Sequence, residues 1–227
     1  MRINADFSQP AIIMPENYHW VESPKGEVKR MMLDRIGTEK ARATSLVEFG
    51  KHSTFPEHQH PLGEEVLVLS GVFTENSHLH YPQGWYLRNP HQSSHQVSSQ
   101  EGCLIFVKLM QMSEDEKQRV QINTNDPQNW KNINNLLICP LFESEQEKTY
   151  LVQLQPSQQL IEDSKQGLEI FILEGQLLAE DHLYMSGCWL RLPIDSKTQF
   201  TADLSGAKLY IKTRHLQHTI DMWSKPE

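Results

Sequence analysis

The stretch GEEVLVLSGVF, residues 63–73, reads against GLEIFILEGQL at residues 167–177, an offset of 104. The pairing is not isolated. YPQGWYLRNP (81–90) aligns with YMSGCWLRLP (184–193) at an offset of 103, and EGCLIFVKL (101–109) with SGAKLYIKT (205–213) at 104. Upstream, ATSLVEF (43–49) and KTYLVQL (148–154) extend the match. Blocks in the same order at nearly constant offset mark an internal duplication. Within each copy, short runs rich in Val, Leu, Ile, Phe and Tyr are bounded by Gly, Pro, Asn and Ser, the pattern of strands and turns. Glu65–Leu69 and Ile170–Leu173 are apolar on both faces, which suits strands buried on both sides. The chain is therefore expected to be all-β, with two sandwich or small-barrel domains in tandem.

The polar segment SEDEKQRVQINTNDPQNWKN (113–132), with Asp126-Pro127 inside it, separates the copies. It sets a first domain over 25–118, a linker over 119–128 and a second domain over 129–227, with Ser113 placed to cap a short helical turn. Residues 1–24 are expected to form an extended arm lying over a barrel, with Trp20 packed against it.

Bulk properties exclude several function classes. Of 227 residues, 29 are acidic and 21 basic, for a formal charge of −8. That balance repels a phosphate backbone, and no Lys/Arg stripe offsets it, so direct nucleic-acid binding is not expected. No apolar run approaches the roughly 18 residues of a spanning helix, and the run Ala11–Met14 is too short for a secretory signal. Cys103, Cys139 and Cys188 are far apart, without a CxxC pair. Neither a disulfide framework nor a zinc knuckle follows, and a reducing cytoplasm is the expected compartment. Cys103 and Cys188 lie in apolar strand contexts and are read as buried, inert thiols.

The chemistry concentrates in FPEHQHPLGEEVLVLSG, residues 55–71. In a strand, residues i and i+2 share a face about 7 Å apart, so His58 and His60 present two imidazoles on one side. Pro61-Leu62-Gly63 is turn material and lets Glu64 return a carboxylate from the next strand. The best fourth donor is His95, after GWYLRNPHQSSH. His78 and His80 repeat the local spacing in a hairpin with no acidic partner after them, and His52 opens a loop; these are read as solvated.

The spacing His58-x-His60-x3-Glu64-x6-Gly71, with Gly84-x5-Pro90-x4-His95, resembles the two motifs of the cupins. The second motif departs at Gln92, where a Gly is usual. More narrowly, residues 25–112 resemble the ChrR-type cupin of zinc-dependent anti-sigma factors, and 130–215 read as a degenerate second copy. The resemblance implies two cupin barrels, that is, double-stranded β-helices or jelly rolls. It also implies one divalent metal held by His58, His60, Glu64 and His95. Carried through the duplication, the four ligand positions fall on Glu162, Ser164, Leu168 and Thr198, so the second copy is expected to bind no metal. Gly175, Gly187, Arg191 and Pro193 keep the scaffold positions.

A three-histidine, one-carboxylate set accepts several divalent metals, with zinc expected first and iron, manganese or nickel as alternatives. The ChrR resemblance implies a regulatory, non-enzymatic role in a stress or transcription response. Its partner would be an ECF-type sigma factor or another protein. Residues 1–24 contain no cysteine, so they hold no counterpart of the Cys-x2-Cys zinc segment that accompanies the cupin in those factors. The alternative is an iron- or manganese-dependent dioxygenase or isomerase acting on a small molecule, with Tyr86, Arg88, His91 and Glu101 as pocket residues. A small-molecule-binding cupin without chemistry is a third reading. Arg88 recurs as Arg191 in the copy without ligands, which points to a structural role for it. A homodimer is expected from the habits of the family.

Overall fold

The computed structural model describes residues 1–23, 27–160 and 164–223. It divides into two compact units, Met1–Ala5 with His19–Asp126, and Asp6–Tyr18 with the chain from Pro127 onward. Both are built almost wholly of antiparallel strands. Among the described residues no helix is long and apolar enough to cross a membrane.

In the first unit the strands run, in spatial order, Arg2–Ile3, Val28–Gly37, Ala41–Phe49, Cys103–Leu109, Glu64–Glu75, Ser93–Ser99 and Ser53–His60. Alternation along each strand decides what enters the barrel. Val66 and Val68, Val47 and Phe49, Ile105 and Val107, with Leu87 and Val97, form one buried apolar cluster. The first half of the Glu64–Glu75 strand pairs with Cys103–Leu109 and Trp85–Asn89, and its second half with Leu79–Pro82 and Ser93–Ser99. The change of direction falls at Gly71, whose φ is +70°. A Cβ there would stand 2.0 Å from the carbonyl oxygen of Gly102. Only glycine satisfies both the left-handed backbone and that approach.

The second unit repeats the device. Its strands run Lys131–Ile133, Leu136–Glu143, Lys148–Leu154, Phe200–Thr213, Leu168–Ala179, Trp189–Leu192 and Ala11–Ile13. Gly175 has φ +74°, and a Cβ on it would lie 2.0 Å from the Gly206 oxygen. The duplication seen in the sequence thus extends to one steric detail. Leu168, where the first copy has Glu64, joins Ile170, Ile172, Cys188 and Leu190 in its apolar core cluster. A single helix, His215–Trp223, ends the described chain.

Two segments differ from expectation. The 119–128 stretch contains a strand, Val120–Asn123, hydrogen-bonded to Trp85–Asn89 in the first unit. Ser113 starts a turn, accepting the Asp115 N–H on its hydroxyl, and not a helix. Residues 1–24 are not one arm. Arg2–Ile3 pairs with Val28–Gly37, whereas Ala11–Ile13 adds an edge strand to Trp189–Leu192 in the second unit. Arg191 anchors that edge, donating to the Asp6 carbonyl at 3.1 Å and lying 4.3 Å from the Phe7 ring centroid. Trp20 sits on a strand beside Met31 and remains 36% exposed. Ordinary backbone pairing explains both differences: a polar segment flanking a barrel gains hydrogen bonds by covering an open strand edge.

Candidate metal centre

Three strands of the first unit carry the donors. His58 and His60 alternate onto one face of Ser53–His60, and the register sets His95 directly opposite His58 across the pair with Ser93–Ser99. The chain then reverses through Leu62 (φ +53°) and Gly63 (φ +74°), with the Gly63 N–H donating to the His60 carbonyl. A side chain on Gly63 would strike Met112 Sδ at 2.2 Å. The Leu62 N–H donates to His91 Nδ1 at 2.9 Å, so His91 holds the turn that brings Glu64 back toward the histidines.

The donor atoms converge. His60 Nε2 and His95 Nε2 lie 2.9 Å apart. Glu64 Oε2 lies 3.5 Å from the latter and 3.7 Å from the former. His58, His60 and His95 each offer a nitrogen within 4.8 Å of the others. Donors bound to one divalent ion at 2.0–2.2 Å stand roughly 2.8–3.6 Å apart, from octahedral to tetrahedral angles, and these separations lie within or close to that range. Two imidazole Nε2 atoms face each other here, and such a contact is favourable only with a proton or a cation between them. The residues therefore fit a metal, with His58, His60, Glu64 and His95 as its holders.

The surroundings prepare the donors. His58 donates from Nδ1 to the Pro56 carbonyl at 2.9 Å, leaving Nε2 free. His95 Nδ1 is 2.7 Å from Glu75 Oε1, so its Nε2 likewise faces inward. Glu75 is fully buried, accepts from Asn89 Nδ2 at 2.9 Å and contacts Arg119. Asn89 also donates to Glu64 at 3.2 Å. Burial, then the neighbouring charge of His95, pushes His60 down to about 4, so this imidazole is neutral and ready to coordinate. Burial lowers His58 as well and raises Glu64. Burial opposes the ionised Glu75, but its bonds to His95 and Asn89 outweigh that and hold its carboxyl below the usual range. Burial also lowers His95, yet the Glu75 hydrogen bond and the charges of Glu64 and Glu75 leave it raised overall.

A cavity of about 330 Å³ adjoins the donors, with His58, His60 and Glu64 in its wall. The rest is mainly apolar, including Phe49, Phe55, Phe73, Ile105 and Val107. The residues anticipated as pocket-forming lie elsewhere. Leu87 points into the core, so strand alternation turns Tyr86 and Arg88 to the opposite face. There Arg88 is committed to Glu65 at 3.2 Å and to Glu116 at 2.5 Å. His91 is occupied with the turn, and Glu101 sits exposed in the turn before Cys103. None of the four lines the cavity. His78 and His80 bond locally, to the Asn76 carbonyl and the Thr74 hydroxyl.

Glu75, Asn89 and Arg119 were not anticipated. A signal existed for Asn89, which immediately precedes Pro90 of the second motif. For Glu75, a carboxylate eleven residues beyond Glu64, nothing local distinguishes it from a surface residue. In the second unit, Leu168 fills the Glu64 position in the core and Thr198 lies in a loop. Glu162, the counterpart of His58, lies outside the described residues, as does the side chain of Ser164.

Residues 8–113 match the family model described as the ChrR cupin-like domain. This stretch, just under half of the chain, is similar to that domain. No curated protein matches the chain in sequence. Among solved structures, the cupin fold recurs over nearly the whole chain. Escherichia coli Ylba is 16% identical, with 92% of each chain covered and a TM-score of 0.68. The E. coli pirin YhhW, solved with nickel(II), is 11% identical over 90% of this chain and 98% of its own, with a TM-score of 0.65. A cupin 2 conserved barrel domain protein from Leptotrichia buccalis is 10% identical over 93% and 98%, with a TM-score of 0.61. The chain has the cupin fold in tandem, and among the described residues the His/Glu cluster lies in the first unit.

Proposed function

We propose that the ChrR cupin-like half holds one divalent metal per chain on His58, His60, Glu64 and His95, and that this metal acts on a small molecule seated in the adjoining cavity. One observation carries the reading: three of the four donors are part of the cavity wall. A purely structural metal is closed off by its ligands, whereas a reactive one keeps a position that solutes reach. A metal in this shell supplies Lewis-acid chemistry or, as iron or manganese, redox chemistry with oxygen. The chain's own contribution is to favour the neutral form of His58 and His60, to fix His95 through Glu75, and to exclude water with an apolar wall. A dioxygenase or isomerase of small molecules is the reaction class that suits this arrangement.

The family match over residues 8–113 favours a second use of the same site, as a zinc-holding sensory domain whose state is passed to an ECF-type sigma factor or another protein. One set of measurements separates the two. Purified protein is analysed for metal, reloaded in turn with zinc, iron, manganese and nickel, and assayed for oxygen uptake with diketone, hydroxyketone and catechol-type compounds. Turnover that tracks iron or manganese loading supports the enzyme. Retention of zinc, no turnover with any metal, and co-purification of a sigma factor support the sensor. A chain that holds no metal overturns both.

A further inference from the structure

The wall of the cavity contains one residue that its strand position does not predict. Arg30 lies in the Val28–Gly37 strand, paired with Val47. Val47 pairs with Ile105, and Ile105 with Val68. These three partners all belong to the buried apolar cluster inside the barrel, so Arg30 occupies the fourth place in an inward-facing row of aliphatic residues. It is half-buried and lines the cavity. Among the described residues no carboxylate pairs with it. Burial, then the charge of Arg35, lowers its affinity for a proton, the mark of a cation held without an acidic neighbour. The other charged residues of the wall away from the donors are Glu39 and Lys40, exposed on the turn at Thr38–Lys40, and these two offset each other.

A guanidinium facing an apolar chamber is costly unless an anion meets it, and its planar fork matches a carboxylate. The row of Arg30 also fixes where that anion would sit. Val68 is four residues along its strand from Glu64, roughly 13 Å away, so Arg30 and the metal donors approach the chamber from different levels. The rest of the lining is mainly aromatic and aliphatic. At about 330 Å³ the space is at the lower end of small-molecule sites, which run from roughly 300 to 1,000 Å³.

We infer that the ligand of this cavity is an amphiphilic monocarboxylate, with a short aliphatic or aromatic body along the apolar wall, its carboxylate on Arg30 and its far end toward the metal. This rests on the proposal that the cavity receives the small molecule on which the metal acts. It names the chemical class that the wall selects.

Isothermal titration of the full chain with octanoate, octanol and octylammonium, in metal-free and zinc-loaded protein, tests it. Octanoate should bind about tenfold or more tightly than octanol in both forms, the size of one charge-assisted hydrogen-bonded contact, and octylammonium should not bind. Arg30→Met should remove the preference for octanoate while octanol binding is kept, and Arg30→Lys should retain part of it. Octanol binding by Arg30→Met doubles as the check that the barrel is folded. Equal binding of octanoate and octanol overturns the inference, as does failure of both to bind. A preference that survives Arg30→Met but vanishes on metal removal places the carboxylate on the metal; it overturns the inference and leaves the proposed metal function standing. Absence of bound metal by elemental analysis, with the Arg30-dependent preference intact, does the reverse.

Discussion

Replacing Glu75 with glutamine tests how the metal centre is held, because it removes a charge without changing a shape. Glu75 Oε1 takes the His95 Nδ1 proton at 2.7 Å and the Asn89 amide at 2.9 Å, and the carboxylate also contacts Arg119. The glutamine oxygen can serve His95 or Asn89, but its NH2 group then faces the Arg119 guanidinium with two donors opposed. His95 loses a partner that both fixes its ring and makes Nε2 more basic. Outer partners of this kind are worth roughly 10–100-fold in metal affinity, or about 1.4–2.7 kcal/mol. Glu75→Gln should therefore weaken zinc binding by that factor in a competition titration against a chromophoric chelator. The visible spectrum of the cobalt-substituted protein should shift, since the His95 ring is freed to rotate. Arg119→Ala keeps the carboxylate and lifts the charge that partly neutralises it, so its affinity should equal or exceed that of the parent chain. Thermal melting of the metal-free variants controls for folding. Glu75→Gln that folds and holds zinc as tightly as the parent, with an unchanged cobalt spectrum, would refute the idea that Glu75 positions His95.

Three further outcomes follow from the geometry. Elemental analysis should find one metal per chain; His60→Ala should lose it, whereas Leu168→Ala and Thr198→Ala in the second unit should keep it. Gly71→Ala should destabilise the first barrel by more than about 2 kcal/mol in denaturant unfolding, since a left-handed alanine costs roughly 1–2 kcal/mol before its Cβ meets the Gly102 oxygen at 2.0 Å. Unchanged stability would mean that the strand does not turn as described. Burial pushes the thiols of Cys103 and Cys139 up to about 11 and that of Cys188 up to about 12, and all three are buried. At pH 8 almost none is thiolate, so a disulfide reagent should label the folded chain negligibly and react with three thiols after denaturation; rapid labelling at pH 8 would contradict the burial.

The features legible in the sequence were those written in local pattern. Strand runs ending in glycine announced the fold twice, because Gly71 and Gly175 are required by a backbone contact that recurs in both copies. His58, His60 and Glu64 were legible because strand period and a three-residue turn bring them together within seven positions. What escaped depends on pairing at long range. Arg88 could be read as a pocket residue until strand alternation put Leu87 inside, and no pattern in residues 113–123 shows that Arg119 meets a buried carboxylate. Arg30 is the reverse case. It looks like a surface residue in EVKRMM and becomes notable only when its register partners prove to be core.

The two halves also differ in what their interiors demand. In the second barrel the cluster around Leu168 and Ile170 is apolar, and burying it needs no ligand. The second unit does bury Glu147 and Glu169, but each meets a basic side chain, Lys212 and His215, whereas the first gathers Glu64 and Glu75 around the imidazoles of His60 and His95. Burial raises Glu64, so in the metal-free chain this carboxyl resists ionisation. A cation at the centre of the cluster removes that penalty, and any ion that binds the folded chain alone stabilises it in proportion to the logarithm of its concentration. Stability of the first barrel should therefore track metal, while that of the second should not. Zinc added to the chain should raise the unfolding transition of the first unit by an amount that grows with zinc concentration. In His60→Ala the same addition should leave both transitions where they are, and a zinc-dependent rise in that variant would count against the assigned donors.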